Sequence, residues 1–144
     1  SSIPLGVVNL SEKINIHGKN KIFSMMKRYF KSLKSNVSHK IDPSFSVGSC
    51  STVSTLSAVY QNLKTFDRNK IEGSLLDVDE IIKIIKILKN LEISEMLKHP
   101  CIKNRYPLLL NGIEILEKIL ENFPIKRILV SQAGLTEGMI ENLY

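Results

Sequence analysis

One short stretch, SFSVGSCSTVSTLSAV at residues 44–59, constrains the fold more than any other part of the chain. Phe45 and Val47 alternate with polar residues as in a strand, and Gly48 ends that alternation. From Thr52 onward the apolar side chains recur at helical spacing. A strand that passes into a helix through a tight turn is typical of an α/β fold.

The turn between these two elements, residues 48–52, has two interpretations. A simple turn would need only small residues and an N-cap, for which Ser51 is suited. An anion site would use the same residues, because the first N–H groups of a helix lack internal partners and carry about half a positive charge. The G-x-x-x-x-G-K pattern of a Walker A loop is absent, and the residues alone favour the simple turn.

The rest of the chain continues the alternation of strands and helices. Its patterns predict strands at residues 3–10, 44–48 and 127–131, with Gly6 at a bulge or close approach in the first. They predict helices at residues 19–35, 52–63, 77–91, 93–98, 107–123 and 135–143. Asp77 and Glu80 suggest an acidic variant of the capping box. We therefore expect one domain in which the three strands share a parallel or mixed sheet flanked by helices.

The net charge of +6 lies in the first third of the chain. Residues 1–44 hold eight basic and two acidic side chains, whereas residues 45–144 hold twelve of each. Such a segment suits a polyanionic partner. It also suits a solvated lysine surface, and the excess of lysine over arginine, sixteen to four, favours that second interpretation.

Cysteine and histidine give little indication of a metal site. Cys50 and Cys101 form no C-x-x-C pair, and the three histidines lie far apart without ligand spacing. Two cysteines without a disulfide pattern fit a reducing cytoplasm. No apolar run reaches the roughly 18 residues that a membrane span needs, so we expect no membrane partner.

Five short blocks follow one another along the chain: IPLGVVNLSEK, VGSCSTVSTL, RNKIEGSLL, NRYPLLLNGIEIL and ILVSQAGLTEGMI. In this order they resemble the blocks of the exopolyphosphatase and guanosine pentaphosphate phosphohydrolase (Ppx/GppA) family, which belongs to the actin-like phosphotransferase superfamily. Outside the first block, the residues that match the family patterns are Gly48, Thr52, Gly73, Arg105, Leu109, Gly112, Ile115, Val130, Ser131, Gly134, Leu135, Glu137 and Gly138.

The resemblance implies a ribonuclease H-like (actin-like ATPase) domain, truncated at its N-terminal hairpin. It implies that residues 1–144 are the second, C-terminal domain of a two-domain phosphatase and that they are incomplete at the N-terminus. The expected partners are the missing first domain and a second copy in a homodimer.

The activity implied by the resemblance is release of the terminal phosphate from inorganic polyphosphate or guanosine pentaphosphate. The chain would form one wall of the cleft between two domains, with phosphate bound by Gly48, Ser49, Cys50, Ser51 and Thr52. Arg105 and Glu137 would have a cleft or structural role. The catalytic glutamate and the ligands of Mg²⁺ would lie outside this sequence, so we expect no catalytic and no metal-binding residue within it.

Two positions depart from the family patterns: Ser51 replaces a loop glycine, and Thr136 replaces an arginine. Because of these two departures, one alternative is that the protein is a family member that has lost its function. A non-catalytic module that binds anions or nucleic acid is a second alternative, because of the basic first third. A sugar-kinase or chaperone-type ATPase domain is a third, because it shares the fold.

Overall fold

The computed structural model describes residues 6–36, 45–134, 137 and 139–140. Its helices are α1 (Val7–His17), α2 (Lys19–Asn36), α3 (Ser51–Tyr60), α4 (Arg68–Ile71), α5 (Val78–Asn90), α6 (Ile93–Lys98) and α7 (Tyr106–Asn122). Its strands are β1 (Phe45–Gly48), β2 (Leu75–Asp77) and β3 (Arg127–Val130). Of the helix predicted at 135–143, the structure describes only Glu137, Met139 and Ile140, and all three are helical. The other residues of that prediction lie outside the described residues. No described helix has the length and apolar character that a membrane crossing requires.

The sheet is mixed and has the order β1-β3-β2. β1 runs parallel to β3, with Gly48 opposite Val130, and β2 runs antiparallel to β3. One face of the sheet is buried through Leu76, Ile128 and Val130. The prediction of a mixed sheet is confirmed, and so are the strands predicted near 44–48 and 127–131.

The strand predicted at residues 3–10 is wrong for the part that the structure describes, because residues 7–10 belong to α1. Gly6 is the extended N-cap, and the Leu10 N–H donates to its carbonyl at 2.7 Å. A strand would place Val8 and Leu10 on the same face. Instead Leu10 is fully buried and Val8 is 56% exposed. The adjacent β-branched residues Val7 and Val8 imitated a strand, but the spacing of Leu10 and Ile14 follows the helical period.

The third strand of the sheet is β2, which lies beside β3. The sequence patterns predicted no strand here and began a helix at Asp77. The helix begins at Val78 instead, and Asp77 is its N-cap without a side-chain hydrogen bond, so the predicted capping box does not form. Gly73, just before β2, has φ of +71°, a left-handed conformation that favours glycine.

The main core lies between the buried face of the sheet and helices α3, α5 and α7. Its largest fully buried side chains include Leu56, Ile71, Leu76, Ile81, Ile85, Leu88, Ile102, Ile113 and Val130. On α5 the buried residues are Ile81, Ile84, Ile85 and Leu88, whereas Ile82 is exposed.

A second core joins α1 and α2 to α7. Leu10, Ile22, Met26 and Phe30 are buried there. Gly18 lies between α1 and α2 with φ of +81°, which lets the chain turn sharply from one helix into the next. The helix predicted at 19–35 is confirmed by α2. Because α7 contributes to both cores, it packs against α3 and α5 on one side and against α1 and α2 on the other.

Candidate functional site

The loop between β1 and α3 lies at the carboxyl end of a strand, which is where ligands bind in open α/β sheets. Cys50 is the N-cap of α3, and its carbonyl accepts the first intrahelical hydrogen bond, from Ser54 at 3.1 Å. The predicted N-cap, Ser51, is instead the first helical residue. The N–H groups of Ser51, Thr52 and Val53 precede that first bond and donate to no other group among the described residues.

A polar cleft of about 250 Å³ opens on one side of this loop. It is lined by Ser49, Cys50, Ser51, Ser54, Phe66, Arg68, Arg105, Ser131 and Gln132. The loop, the entry to α4, the entry to α7 and the exit of β3 all contribute. The cleft therefore combines helix N–H groups with two arginines and several hydroxyl groups, which is a donor set that suits a phosphate.

Arg105 is held over an aromatic ring at the edge of the cleft. It ends the 3₁₀ turn Lys103–Arg105, and its Cζ lies 4.5 Å from the centre of the Phe66 ring. The ring face attracts the guanidinium, whose N–H groups make no hydrogen bond or ion pair with another described residue. Arg68, the first residue of α4, lines the same cleft. The cap of α4 is Asp67, which accepts the Asn69 N–H at 3.0 Å.

A chain of hydrogen bonds ties the exit of β3 to the first turn of α3. The Gln132 side-chain amide donates to Ser54 Oγ at 2.6 Å, and that hydroxyl donates to the Cys50 carbonyl at 3.0 Å. The Glu72 carboxylate accepts from Ser131 Oγ at 3.2 Å and from the Gln132 N–H. Because its oxygens are engaged in this way, Glu72 orients one wall of the cleft.

The opposite side of the loop is packed. A Cβ built on Gly48 would come within 2.8 Å of Val53 Cγ1 and 2.9 Å of Ile128 Cγ2. Both neighbours are buried and β-branched, so they have few ways to move aside. Packing alone therefore accounts for the glycine at this position.

Thr52 forms a second packing contact, with Gly112 of α7. The Thr52 side chain is 5% exposed, and a Cβ built on Gly112 would lie 1.9 Å from its Oγ1. Thr52 thus lies directly on the surface that the missing side chain leaves open. Its hydroxyl points toward Gly112 of α7, and Thr52 is not among the described residues that line the polar cleft.

A larger groove, of about 440 Å³, lies beside the packed face of the loop. Apart from the loop it is lined mainly by apolar side chains of β1, β3 and α7, such as Val47, Ile115, Ile119 and Ile128. No arginine, lysine or histidine is among the described residues that line it. A highly charged anion would lose its hydration there without meeting a cationic side chain, so the smaller polar cleft, which has two arginines, is the candidate phosphate site.

Glu137 has a structural contact. Its carboxylate accepts the Gly134 N–H at 2.7 Å. This hydrogen bond, and to a smaller extent the nearby charge of Arg68, lowers the pKa of Glu137 below its ordinary value. The carboxylate is therefore ionised and engaged in the turn that follows β3.

No group of three or more His, Cys, Asp or Glu side chains that could hold a metal ion occurs among the residues that the structure describes. Asp77, Asp79 and Glu80 lie around the start of α5, where negative charges interact favourably with the helix dipole. The described residues therefore offer no ligand set for the Mg²⁺ that the resemblance implies.

Among the residues predicted to bind phosphate, Ser49, Cys50 and Ser51 line the cleft, and Arg105 lies with them. Gly48 and Thr52 belong to the packed side. Sequence reasoning missed Arg68, Ser54 and Gln132, because they come from three separate elements. Their only signal in the sequence was position, since Gln132 follows a predicted strand and Arg68 stands in one of the family-like blocks.

Comparison with known proteins gives a family. The sequence model of the Ppx/GppA phosphatase family matches residues 1–144. A comparison with curated proteins found no significant match.

Solved structures agree with that family. A Ppx/GppA family member of Aquifex aeolicus is 27% identical, with a TM-score of 0.73 over 99% of this chain and 47% of that protein. An exopolyphosphatase of Cytophaga hutchinsonii is 21% identical, with a TM-score of 0.76 over 99% of this chain and 48% of that protein. The second of these likenesses concerns the fold alone. The chain spans about half the length of these relatives.

Proposed function

This chain belongs to the Ppx/GppA phosphatase family, and from that premise we propose that it binds the terminal phosphates of a phosphoanhydride substrate in the polar cleft. The reaction served by this site is hydrolysis of the terminal phosphoanhydride bond. The substrate is inorganic polyphosphate or guanosine pentaphosphate, which both present a row of phosphates.

One observation carries the proposal: the first turn of α3, whose first three N–H groups have no partner among the described residues, meets at Ser51 the same cleft that Arg68 and Arg105 line. The N–H groups supply a partial positive charge that needs no reorganisation when a phosphate arrives. The two arginines supply full charges, and each guanidinium can hold two oxygens of one phosphate.

In this proposal the chain binds and orients but supplies no base. Neither Asp nor Glu is among the described residues that line the polar cleft, so this wall offers no carboxylate to orient a water molecule. The arginines and N–H groups would stabilise the charge that develops on the phosphate oxygens as the bond breaks. The attacking water, its base and any Mg²⁺ belong to the part of the enzyme that faces this wall.

The facing part is proposed to be the first domain of a two-domain protein, because the solved relatives are about twice as long as this chain. The cleft would then lie between two domains, with residues 49–51 on one wall. Whether two copies form a homodimer is a separate question that the size of the purified protein in solution would answer.

The test is a calorimetric titration of tripolyphosphate into the purified chain. We expect Arg105→Gln and Arg68→Gln each to weaken binding by at least about tenfold, because a tenfold change is about 1.4 kcal/mol and a hydrogen bond to a charged group contributes roughly 1.5–3 kcal/mol. Lys103→Gln removes one exposed positive charge beside Arg105 and is the matched control. Equal affinity in all four proteins would contradict the proposal.

Catalysis requires a second measurement. We expect the 144-residue chain alone to release phosphate from polyphosphate no faster than background, because the described residues that line the cleft include no carboxylate to act as a base. Release that survives removal of contaminating phosphatases, and that is lost in Arg105→Gln, would mean that the chain holds its own catalytic group. Binding without hydrolysis in the full-length protein would favour the alternative, a non-catalytic anion-binding module.

A further inference from the structure

Helix α2 has an unusual charge composition. Its 18 residues, KNKIFSMMKRYFKSLKSN, contain five lysines and one arginine and no acidic residue. Elsewhere several lysines have a carboxylate partner: Lys83 pairs with Glu80 at 2.6 Å, and Lys118 pairs with Glu121 at 2.6 Å. The difference makes α2 the place in the described chain where positive charge accumulates.

The structure places this charge on one face. Ile22, Met26 and Phe30 face the second core. The exposed basic residues lie on the opposite side of α2, and we call them the basic face: Lys21, Lys27, Arg28, Lys31 and Lys34. None of these five makes an ion pair or a side-chain hydrogen bond with another described residue, whereas Lys19 pairs with Glu114. At 1.5 Å per residue the basic face extends over about 20 Å.

The basic face is electrostatically unfavourable by itself. Lys27 and Lys31 are four residues apart, and Lys31 and Lys34 are three apart, so their charges repel along the helix surface. An anion that spans several of them relieves this repulsion and releases its own counterions. A single phosphate neutralises only one or two of these charges, whereas a continuous polyanion neutralises the whole row and gains the free energy of all the contacts together.

We propose that the basic face of α2 is a second binding surface, separate from the polar cleft, and that its ligand is a chain of inorganic polyphosphate. Single-stranded nucleic acid fits less well, because it binds through bases stacked on exposed aromatic rings. Phe30 is buried, Phe23 is packed against the second core, and Tyr29 is 37% exposed. The identity of the ligand rests on the proposed function, but the place of the surface does not.

The test compares long-chain polyphosphate with tripolyphosphate. The variant Lys27→Gln/Lys31→Gln/Lys34→Gln removes three charges from the basic face. The control Lys64→Gln/Lys86→Gln/Lys98→Gln removes three exposed lysines, also without a carboxylate partner among the described residues, from other parts of the chain. Lys27→Arg/Lys31→Arg/Lys34→Arg keeps the charge. Urea unfolding of each protein checks the fold, and loss of repulsion on α2 should leave stability unchanged or higher.

We expect the glutamine variant on α2 to bind long-chain polyphosphate at least tenfold more weakly, and the arginine variant and the control to stay within about threefold of the parent. The slope of log affinity against log salt should fall by about 2 in the α2 glutamine variant, at roughly 0.7 per contact. Tripolyphosphate binding should be unchanged, since it depends on Arg68 and Arg105.

Each outcome separates the two proposals. If tripolyphosphate does not bind but long-chain polyphosphate binds through α2, the cleft proposal fails and this one stands. If the α2 variant and its control lose affinity equally, the loss reflects the net charge of the protein and not the position of the charges, and this inference is overturned. Tighter binding of single-stranded RNA than of polyphosphate at the same salt concentration would overturn the assignment of the ligand.

Discussion

The two sides of the loop at residues 48–52 differ in almost every physical respect. One side carries Ser49, Cys50 and Ser51 and faces a polar cleft with two arginines. The other side holds Gly48 against Val53 and Ile128 and Thr52 against Gly112. A single motif therefore contains two kinds of requirement. The small residues on the packed side fix where the N–H groups point, and the residues on the cleft side determine what those groups can bind.

A matched residue in such a motif is therefore not necessarily a ligand contact. Thr52 and Gly112 match two different family-like blocks, and the structure shows that they touch each other. Changes on the packed side should reduce stability, and changes on the cleft side should reduce anion affinity.

The greatest loss of stability is expected in Gly112→Ala. The new Cβ would meet Thr52 Oγ1 at 1.9 Å, so α3 and α7 must move apart. We expect a loss of about 2–3 kcal/mol in the free energy of unfolding, because the clash outweighs the roughly 1 kcal/mol that alanine gains in a helix. Urea unfolding followed by circular dichroism measures it.

The matched control is Gly6→Ala, since nothing lies within 4 Å of a Cβ there. It should lose less than about 1 kcal/mol, at an N-cap that alanine fills poorly. Thr52→Ala combined with Gly112→Ala should recover part of the loss. Full additivity of the two substitutions would contradict the proposed contact.

A smaller loss is expected in Gly48→Ala, about 1–2 kcal/mol, because its contacts of 2.8 and 2.9 Å are less severe and are made by side-chain methyl groups. Tripolyphosphate affinity of the folded protein should stay within about threefold of the parent, since the polar cleft lies on the other side of the loop. If Gly48→Ala has normal stability but binds tripolyphosphate much more weakly, then Gly48 contributes to anion binding and not to packing.

A weaker effect still is expected at His99, in the turn that precedes Arg105. His99 Nδ1 accepts the Cys101 N–H at 3.2 Å, and partial burial lowers the pKa of His99 below its ordinary value of 6.5. The unfolded chain therefore binds this proton more readily than the folded chain. The contribution of His99 to stability should be fully present above its ordinary pKa and should decrease as the pH falls from there through the folded pKa.

The measurement is the melting temperature at several pH values in parent and His99→Asn, whose side-chain oxygen still accepts a hydrogen bond. We expect the asparagine variant to lose part of the decline seen in the parent below pH 6.5, the ordinary pKa of histidine. Identical curves for the two proteins would show that His99 does not contribute to the acid sensitivity.

The main elements of this fold were predictable where periodicity was strong. The apolar spacing along α2, α5 and α7 predicted all three helices, and the β1 to α3 junction was predicted to within one residue at its start. α1 was not, because adjacent valines have strand preference while tertiary contacts of Leu10 with α2 and α7 favour a helix. β2 was missed because three residues are too few to show a period.

The candidate site was predictable only in part. Ser49, Cys50, Ser51 and Arg105 were named from the sequence, since a strand-to-helix turn and a family-like block indicate them. Arg68 and Gln132 reach the cleft only through the arrangement of α4 and β3 around the loop, which no local pattern contains. The packing of Thr52 on Gly112 is likewise a contact between residues sixty positions apart.

The proposed phosphate position is the first turn of α3, between Arg68 and Arg105. A titration of tripolyphosphate into ¹⁵N-labelled protein, followed through the backbone amide resonances, probes that position residue by residue. We expect saturable shifts for Ser51, Thr52 and Val53, and the same shifts only at higher concentration in Arg105→Gln. Saturable binding that leaves these three amides unmoved while other resonances shift would contradict this position.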